Sequence, residues 1–498
     1  MLLSKLLKGC ALKIGAPADK DITKVVTDSR KATPGCMFIA LRGERSDGGE
    51  YIKEALARGA GAIVSDGDVQ CDGVIPVEDA RLAEAQIFSN LYSAPADGLR
   101  IAAVTGTNGK TSTVSCLSRI LRSSGAKVGV IGGVELSVNE EELDRDGTLS
   151  PETSSMTTPV AEELYRTLAL MRDRGCDMVV MEASSHALSL KRLSPLKIEV
   201  GAFTNLSPEH LDHHGTMEKY FEAKRSLSDI SGKFVVNCDD RYGIRLFCSC
   251  KNPYGISVGA DEAKRAAMFA VAENVSLCGG SVSYDCRLDG NRFHIDSPAC
   301  GVFAVYNTLT AAAMAYLMGT DCGTIADAIR SFRGAPGRME TVFSEDGVPT
   351  AVIDYAHTPD ALEKALKSVK ADCGRLILVF GCGGDRDPSK RAPMGEIACR
   401  IADYSIVTGD NPRGEDPDRI IKDIVSGFYR NNYEVVPDRR DALMRAVDMS
   451  FANDTLICCG KGHEKYIIDK CGKHSFDEKK ILVEALEKKY GTVSGNES

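Results

Sequence analysis

Short apolar runs followed by glycine-rich or charged loops recur along the chain, and helical patterns separate them. In the clearest case four apolar residues, 101–104, precede a glycine-rich turn, and Val114, Leu117, Ile120 and Leu121 then repeat at helical spacing. An apolar run of this length predicts a buried strand, and the repeat predicts the apolar face of a helix. The pattern therefore predicts a strand, a turn and a helix at this point of the chain.

The same alternation predicts an α/β fold throughout. Strands are predicted at residues 37–40, 62–65, 127–131, 178–182, 201–205, 351–354, 376–380, 404–408 and 455–459. Helices are predicted at residues 51–58, 80–92, 160–174, 220–227 and 308–317. In the last third, each strand ends in a loop of glycine and charged residues. That arrangement predicts a doubly wound parallel sheet with a ligand site at its carboxyl edge.

Length and two loop-rich boundaries predict three domains. A chain of 498 residues is long enough for about three domains of typical size. Segments rich in proline and glycine at 93–98 and 335–340 divide it into residues 1–97, 98–333 and 334–498. The first block has the mixed short strands and helices of a small α/β domain. Residues 139–155 are predicted to form a mobile loop, and the tail after Tyr490 is predicted to fray.

Composition restricts the class of protein. Hydrophobic residues make up 43% and charged residues 26%, which is typical of a globular protein. The formal net charge of −9 argues against a general nucleic-acid binder. No apolar run approaches the ~20 residues of a membrane span, and residues 1–8 do not resemble a signal peptide. We therefore expect a cytoplasmic protein without membrane or nucleic-acid partners. Its 18 scattered cysteines are expected to be mostly buried thiols.

Residues 105–111, Thr-Gly-Thr-Asn-Gly-Lys-Thr, carry the strongest chemical signal. Glycines let backbone N–H groups curve around a phosphate, and the following helix directs its positive end towards it. Lys110 can reach the β- and γ-phosphates, and the Thr111 hydroxyl can ligate Mg²⁺. Val104 stands where the standard motif has glycine, so this loop is a shortened form. The residues expected to bind ATP here are Gly106, Thr107, Asn108, Gly109, Lys110, Thr111 and Ser112.

Two further segments contain candidate metal ligands. Glu182 ends a predicted buried strand beside the phosphate loop, where a Mg²⁺ ligand is expected. Three of the eight histidines, His210, His213 and His214, fall within five residues. Zinc is one interpretation of these histidines. Their spacing matches no helical histidine pair and no cysteine is near them in the sequence, which favours a second-metal or phosphate role.

A series of motifs in this chain jointly resembles those of the Mur ligase family of peptidoglycan synthesis. In order they are TGTNGKT at 105–111, MEASSHAL at 181–188, HLDHHGTM at 210–217, GRME at 337–340, DYAHTPD at 354–360, GGDRD at 383–387, DNPR at 410–413 and GKGHE at 460–464. The resemblance implies a UDP-binding N-terminal domain, a central P-loop ATPase domain with a parallel-rich sheet, and a C-terminal Rossmann-like domain for the incoming amino acid.

The resemblance also implies a reaction. ATP phosphorylates the terminal carboxylate of UDP-N-acetylmuramoyl-L-alanyl-D-glutamate, and the amine of the third residue then attacks the acyl phosphate and expels phosphate. Cations must neutralise the approach of the carboxylate to the γ-phosphate. The resemblance assigns catalysis to Lys110, Glu182, His210 and Lys224.

Further roles are implied for individual residues. The implied metal ligands are Thr111, Glu182, His210 and Lys224, the last as a carbamate formed from CO₂ that holds a second Mg²⁺. Additional ATP contacts are implied for Asn307, Arg338 and His357. The implied contacts with the UDP-muramoyl-dipeptide are Ser29, Thr157, Thr158, Ser184 and Arg192. Gly49 stands where the family often has histidine, which concerns one contact on the uridine side.

The sequence Asp-Asn-Pro-Arg resembles that of family members which add meso-2,6-diaminopimelate. This substrate has a distal carboxylate that lysine lacks, and an arginine is a planar bidentate partner for a carboxylate. The resemblance implies that Arg413 binds this carboxylate, that Glu464 binds the distal ammonium and that Arg386 binds the carboxylate nearer the reacting amine. The full implied set is Arg386, Asp410, Asn411, Pro412, Arg413, Gly460 and Glu464. Taken alone, residues 410–413 are also compatible with a capped turn before a helix from Pro417.

Other functions stay open at this stage. The chain could ligate L-lysine or another diamino acid, act as a ligase similar to folylpolyglutamate synthetase, or serve as an inactive nucleotide-binding scaffold. The folylpolyglutamate synthetases lack the pair formed by Asp-Asn-Pro-Arg and Gly-Lys-Gly-His-Glu. An inactive scaffold would not need Lys110, Thr111, Glu182, His210 and Lys224. A monomer that acts on small molecules is expected.

Overall fold

The computed structural model describes residues 1–13, 15, 17–43, 47–67, 71–143, 156–259, 261–278, 281–343, 347–370 and 374–491. Two compact units make up the chain: Met1–Lys110 with Ser124–Tyr254 (unit 1), and Thr111–Ser123 with Gly255–Ser498 (unit 2). Most of the predicted loop at residues 139–155, from 144 onward, and the predicted frayed tail beyond 491 lie outside the described residues. The predicted domain limits at 97/98 and 333/334 stay predictions.

The first part of unit 1 is a four-stranded parallel sheet. Its strands in spatial order are β1 (Val25–Val26), β2 (Met37–Ala40), β3 (Ala62–Ser65) and β4 (Val74–Pro76). Its helices are α1 (Leu3–Leu6), α2 (Ile52–Ala57) and α3 (Ala80–Leu91). Every residue of β2 and β3 is buried, as in parallel strands covered on both faces. The two predicted strands are confirmed to the residue.

Seven more strands pair within unit 1. They are β5 (Arg100–Thr105), β6 (Val128–Ile131), β7 (Leu136–Val138), β8 (Glu141–Glu142), β9 (Met178–Glu182), β10 (Ile198–Phe203) and β11 (Ser231–Asn237). Their spatial order is β11-β10-β5-β9-β6-β7-β8, and only β7 and β8 run antiparallel to their neighbours. Helix α4 (Lys110–Ser123) begins after the phosphate loop, and its residues from Thr111 onward belong to unit 2. The helices of this part of unit 1 are α5 (Ala161–Asp173), α6 (Ser185–Ser189), α7 (Leu211–His214), α8 (Met217–Asp229) and α9 (Arg241–Ser249).

The register of these strands brings three loops to one edge. Val104 on β5 pairs with Glu182 on β9, and Thr105 pairs with Phe203 on β10. Since parallel strands end at the same side of a sheet, the loops after β5, β9 and β10 all leave from the carboxyl edge. The strand predicted at 201–205 lies earlier, because Thr204 and Asn205 leave the sheet to hold the phosphate loop.

The chain passes from unit 1 into the larger segment of unit 2 within the first of four strands that the sequence analysis did not predict. These strands are β12 (Pro253–Val258), β13 (Ala270–Cys278), β14 (Ser281–Leu288) and β15 (Asn291–Ser297); the first pair is parallel and the rest are antiparallel. Helices α10 (Glu262–Ala267), α11 (Val302–Leu317) and α12 (Cys322–Arg330) accompany them, and α11 packs on β13 and β14. The predicted helix at 308–317 is the second part of α11.

The last part of unit 2 is a six-stranded sheet. Its strands are β16 (Glu340–Phe343), β17 (Thr350–Asp354), β18 (Leu376–Phe380), β19 (Tyr404–Val407), β20 (Tyr433–Val435) and β21 (Thr455–Cys459), and their spatial order is β16-β17-β21-β18-β19-β20. Only β16 is antiparallel. A hairpin follows, β22 (Tyr466–Asp469) and β23 (Gly472–Ser475). The helices are α13 (Pro359–Lys370), α14 (Arg391–Ile401), α15 (Pro417–Val425), α16 (Arg439–Met449) and α17 (Glu478–Tyr490).

Alternate side chains of this sheet enter two separate cores. Leu378 belongs to the core that contains Ile397 of α14 and Ile424 of α15, whereas its neighbour Val379 packs with Leu443 of α16 and Leu482 of α17. Helices therefore cover both faces, and the predicted doubly wound sheet is confirmed. Among the helices in the described ranges, none combines the length and apolarity of a membrane span.

Candidate active site

The phosphate loop is held by the segment that follows β10. Thr107 N–H donates to Asn205 O at 2.8 Å, Asn108 N–H donates to Asn205 Oδ1 at 3.0 Å, and Thr204 Oγ1 donates to Asn108 O at 2.6 Å. Gly106 has φ +147°, and a Cβ there would collide with Thr204 Oγ1. Glycine is therefore required at this position by the close approach of the two segments.

Two lysines converge on a single carbonyl of this loop. Lys110 Nζ donates to Gly106 O at 2.9 Å and to Thr107 O at 2.8 Å. Lys224 Nζ, from α8, donates to the same Gly106 O at 2.8 Å. The sequence distance between them is large, so only the fold brings the two predicted catalytic lysines together.

Lys224 is enclosed within unit 1. Its side chain is 1% exposed and its ammonium nitrogen lies 4.6 Å from the ring centre of Tyr220. Burial, and secondarily the charge of Lys110, hold the pKa of Lys224 well below its ordinary value. Burial thus favours the neutral form of this amine over the charged one.

Glu182 and the predicted dipeptide contacts form a second group at the same edge. The Glu182 side chain is 2% exposed and its Oε1 accepts from Gly133 N–H at 3.1 Å. Thr158 Oγ1 donates to Glu182 O at 2.7 Å and accepts from Ser184 N–H at 3.0 Å. Arg192 Nη1 donates to Thr158 O at 3.1 Å, and burial lowers the pKa of this arginine. Thr157 adjoins this group in the chain.

Ser29 lies between β1 and β2 of the four-stranded sheet of unit 1. It begins a short 3₁₀ helix, Ser29–Lys31, which Asp28 caps by accepting from Arg30 N–H at 2.9 Å. The Ser29 hydroxyl donates to Glu54 Oε2 at 2.9 Å. Ser29 is thus both an element of a capped turn and a buried hydroxyl with a fixed direction.

Four imidazole rings cluster around the start of α7. The ring centres of His186 and His213 lie 4.1 Å apart, those of His186 and His210 4.9 Å, and those of His213 and His214 4.6 Å. Burial and the neighbouring His213 lower the pKa of His214 to about 4. Within the part of the chain that the structure describes, no group of three or more His, Cys, Asp or Glu side chains has the geometry of a metal site. The sequence analysis missed the place of His186 in this cluster.

The predicted amino-acid site in unit 2 is organised by Asn411, which is 3% exposed. Its Oδ1 accepts from Lys461 Nζ at 2.8 Å and from Ile468 N–H at 2.9 Å, and its Nδ2 donates to Glu464 Oε2 at 2.8 Å. Arg413 N–H donates to Ile468 O at 3.0 Å. The Asp-Asn-Pro-Arg turn is thereby fastened to Glu464 and to the first strand of the hairpin.

The other predicted members of this site lie around that turn. Arg413 has φ +50° and donates from Nη1 to Gly384 O at 2.9 Å. Gly460 has φ +110°, and a Cβ there would lie 2.6 Å from Asp410 Oδ2. Arg386 is exposed and Pro412 is half-buried. The loops after β18, β19 and β21 thus contribute neighbouring groups, as expected at the carboxyl edge of a parallel sheet.

Tyr355 lies at the centre of the predicted nucleotide contacts of unit 2. The Arg338 guanidinium lies 4.6 Å from its ring centre, and the rings of His357 and His463 lie 4.7 Å and 5.4 Å away. Burial lowers the pKa of both histidines. Arg338 Nε and His463 Nδ1 are buried without a hydrogen-bond partner among the described residues. Asn307 is half-buried on α11.

Three descriptions of one protein family match successive parts of the chain. They are "Mur ligase family, catalytic domain" at residues 21–101, "Mur ligase middle domain" at residues 104–315 and "Mur ligase, glutamate ligase domain" at residues 337–462. A protein of Clostridioides difficile named UDP-N-acetylmuramoyl-L-alanyl-D-glutamate–2,6-diaminopimelate ligase is 38% identical, over 98% of this chain and 100% of its own. The chain belongs to the Mur ligase family.

Other Mur ligases are similar over the same extent. A protein of the same name from Caldanaerobacter subterraneus is 39% identical over 98% of this chain and 99% of its own. A solved structure of a UDP-N-acetylmuramoyl-L-alanyl-D-glutamate–2,6-diaminopimelate ligase aligns with TM-score 0.71 and 30% identity, covering 96% of this chain and 98% of that one. The predicted three-domain α/β architecture of the Mur ligases is confirmed by these similarities.

Proposed function

We propose that this Mur ligase joins meso-2,6-diaminopimelate to UDP-N-acetylmuramoyl-L-alanyl-D-glutamate in an ATP-dependent reaction. The convergence of Lys110 and Lys224 on Gly106 O is the observation that carries the proposal. This contact places the Lys110 cation at the phosphate loop, where it suits a reaction in which a carboxylate must approach a triphosphate, and it places the Lys224 amine beside it. The names of full-length relatives at 38% and 39% identity support the choice of substrates.

Residues 106–112 would bind the ATP phosphates, and Asn307, Arg338 and His357 would contact the remainder of the nucleotide. Backbone N–H groups of the loop and the N-terminus of α4 favour an anion here. Lys110 would neutralise the γ-phosphate as the substrate carboxylate attacks its phosphorus, giving an acyl phosphate and ADP. The amine of diaminopimelate then attacks the acyl carbon, an amide bond forms, and inorganic phosphate leaves.

The donor set beside the loop suits Mg²⁺. The Glu182 carboxylate is buried at the carboxyl edge, and Thr111 adds a hydroxyl at the start of α4; both are hard oxygen donors of the kind that Mg²⁺ binds. Thr111, Glu182 and His210 would hold the ion. When bound, Mg²⁺ supplies charge neutralisation between phosphate oxygens and the incoming carboxylate.

Lys224 would carry a carbamate. The lowered pKa of Lys224 favours the neutral amine, which can attack the carbon of CO₂, forming an N–C bond and releasing one proton; this leaves an anion in place of a potential cation. Such an anion would be a ligand for a second Mg²⁺. The dipeptide would be held by Thr157, Thr158, Ser184 and Arg192, with Ser29 on the uracil.

Specificity for diaminopimelate would come from the turn at residues 410–413. Arg413 would bind the distal carboxylate, Glu464 the distal ammonium and Arg386 the carboxylate beside the reacting amine. The fastening of Asn411 to Glu464 supports a preformed site.

The test is a phosphate-release assay with ATP, Mg²⁺ and the UDP-dipeptide. Release should require an amine, and meso-diaminopimelate should exceed L-lysine by several orders of magnitude in kcat/KM. Equal use of L-lysine would contradict the choice of amino acid. Activity with folates in place of the UDP-dipeptide would instead support a folylpolyglutamate-type ligase, and no release with any substrate would support a scaffold.

A further inference from the structure

Lys461 stands out among the charged side chains of unit 2 because it is fully buried. Its relative exposure is 0%, and its ammonium faces three oxygen atoms. The distances from Nζ are 2.8 Å to Asn411 Oδ1, 3.4 Å to Asp410 Oδ1 and 3.7 Å to Glu464 Oε2. The residue lies in the loop after β21, between Gly460 and Glu464 of the predicted amino-acid site.

We propose that Lys461 is a positioning residue that fixes the Glu464 carboxylate and the Asn411 amide for recognition of the incoming amine. The inference rests on the proposed function for the identity of that amine. Lys461 would not touch the substrate, since its side chain is fully buried.

Hydrogen-bond direction supports this role. An ammonium only donates, so Asn411 must present its Oδ1 to Lys461, and this leaves its Nδ2 to donate to Glu464. One oxygen of Glu464 is thereby held by Asn411 Nδ2, with Lys461 near the same atom. The other oxygen, Oε1, lies 3.5 Å from the Tyr355 hydroxyl. The chain Lys461–Asn411–Glu464 thus sets which carboxylate oxygen faces the site.

Charge balance supports the same role. Asp410 and Glu464 are both near Lys461, and without its positive charge they would be two carboxylates in one buried cluster. Burial opposes ionisation of Asp410, yet Arg439 and Lys461 hold its pKa below the ordinary value. The other ionisable groups that interact with this cluster are Arg439, Glu478, Tyr355, Tyr466, His357, His463 and Cys382.

The principal test measures steady-state constants for Lys461→Met. We expect the KM for meso-diaminopimelate to rise on the order of tenfold, within the range for residues coupled in one hydrogen-bond network. The KM values for ATP and the UDP-dipeptide should change less than about twofold. Lys465→Met is the control, because Lys465 follows Glu464 in the chain but is 80% exposed. An unchanged amine KM in the Lys461 variant would overturn the proposal.

A double-mutant cycle distinguishes positioning through Glu464 from a general structural effect. Glu464→Gln should raise the amine KM, and adding Lys461→Met to it should raise this constant little further. Equal, independent effects in both backgrounds would show that Lys461 does not act through Glu464. Lys461→Gln, which keeps a donor for Asn411 without the charge, provides the same comparison if the methionine variant is unstable.

The pH profile gives a second readout. Loss of the buried positive charge should make the neighbouring carboxylates easier to protonate, so the acid limb of kcat/KM for the amine should move to higher pH. A merely destabilised protein would lose activity without moving this limb. If the wild-type protein ligates no diaminopimelate, the proposed function is wrong. If the wild-type protein is active and the Lys461 variant has the same acid limb as wild type, only the role of Lys461 is wrong.

Discussion

Gly106 O accepts hydrogen bonds from Lys110 and Lys224, and these two amines have different environments. Lys110 begins α4 and is half-buried, whereas Lys224 is 1% exposed. Two full positive charges at one carbonyl repel each other, and the more buried amine loses its proton more easily. At the scale of single residues the two amines therefore differ in burial, and burial favours the neutral form of Lys224.

Removing the Lys110 amine should impair chemistry. We expect Lys110→Ala to lower kcat by at least ~10²-fold, the usual scale for a preorganised charge contact in a transition state. Phosphate release under saturating substrates is the measurement, and Lys219→Ala, an exposed lysine on α8, is the control. Near-normal turnover of the folded Lys110 variant would contradict the assignment of the loop.

Burial of Lys224 should cost stability in a pH-dependent way. Its pKa is lower in the folded chain than the ordinary value of 10.5, so the unfolded chain binds a proton that the folded chain lacks. The destabilising contribution of Lys224 should consequently fall as pH rises towards its ordinary pKa of 10.5. In CO₂-free buffer, Lys224→Met should be more stable than wild type at pH 7, and this difference should shrink as pH increases. Denaturation curves of both proteins at several pH values give this difference in the free energy of unfolding. A difference that does not change with pH would contradict a lowered pKa of Lys224.

At the scale of elements, α16 and α17 are joined on one face of the six-stranded sheet by a buried ion pair. Arg439 Nη2 donates to Glu478 Oε1 at 2.8 Å and to Cys459 O at 2.9 Å, and both charged side chains are 1% exposed. The Arg439 side chain therefore connects α16, α17 and the end of β21. Replacing only one partner of such a pair lowers the stability of the fold strongly, because the charge of the other partner stays buried without a counterion.

Arg439→Met should destabilise the fold by ~3–5 kcal/mol, and Arg439→Met with Glu478→Met should be less damaging than the single change. The control is Arg445→Met on the same helix. Arg445 pairs with Glu434 at the surface, with the arginine side chain half exposed, and its loss should cost ~0–1 kcal/mol. Urea unfolding of the four proteins tests this order. A single Arg439 variant as stable as the Arg445 control would show that the buried pair contributes little.

At the scale of the whole molecule, the phosphate loop and the predicted amino-acid site belong to distant parts of the chain. The phosphate loop follows β5, whereas the predicted amino-acid site uses loops after β18, β19 and β21. Substitutions at the second site should therefore alter one Michaelis constant and leave the others nearly unchanged.

Arg413→Ala tests that separation. Its loss would leave the distal carboxylate of diaminopimelate without a partner, which costs ~2–5 kcal/mol, or roughly 30- to 4,000-fold in the amine KM. The KM values for ATP and the UDP-dipeptide should change little. The ratio of kcat/KM for meso-diaminopimelate to kcat/KM for L-lysine should be smaller in the variant than in wild type. Arg419 is an exposed arginine on α15, and Arg419→Ala serves as the control. If the variant prefers meso-diaminopimelate over L-lysine as strongly as wild type does, residues 410–413 form only a turn before α15 and do not select the substrate.

Local patterns were sufficient to predict most of the parallel strands. β9 and β18 are continuous apolar runs between polar segments, and both match their predicted bounds to the residue. The meander β13–β15 was missed, although part of it has a local signal. In β14 buried and more exposed residues alternate along the strand, which is the pattern of a half-buried strand, so β14 was predictable from the sequence alone.

The sequence by itself determined the phosphate loop, the order of α/β elements and the motifs at the strand ends, since each depends on residues adjacent in the chain. Tertiary structure decided which of these groups meet. It brought Lys224 to the carbonyl that Lys110 contacts, placed His186 among the histidines after β10, and buried Lys461 against Asn411. Local sequence patterns do not predict these contacts. Burial and charge pairing depend on residues that are distant in sequence and become neighbours only when the sheets form.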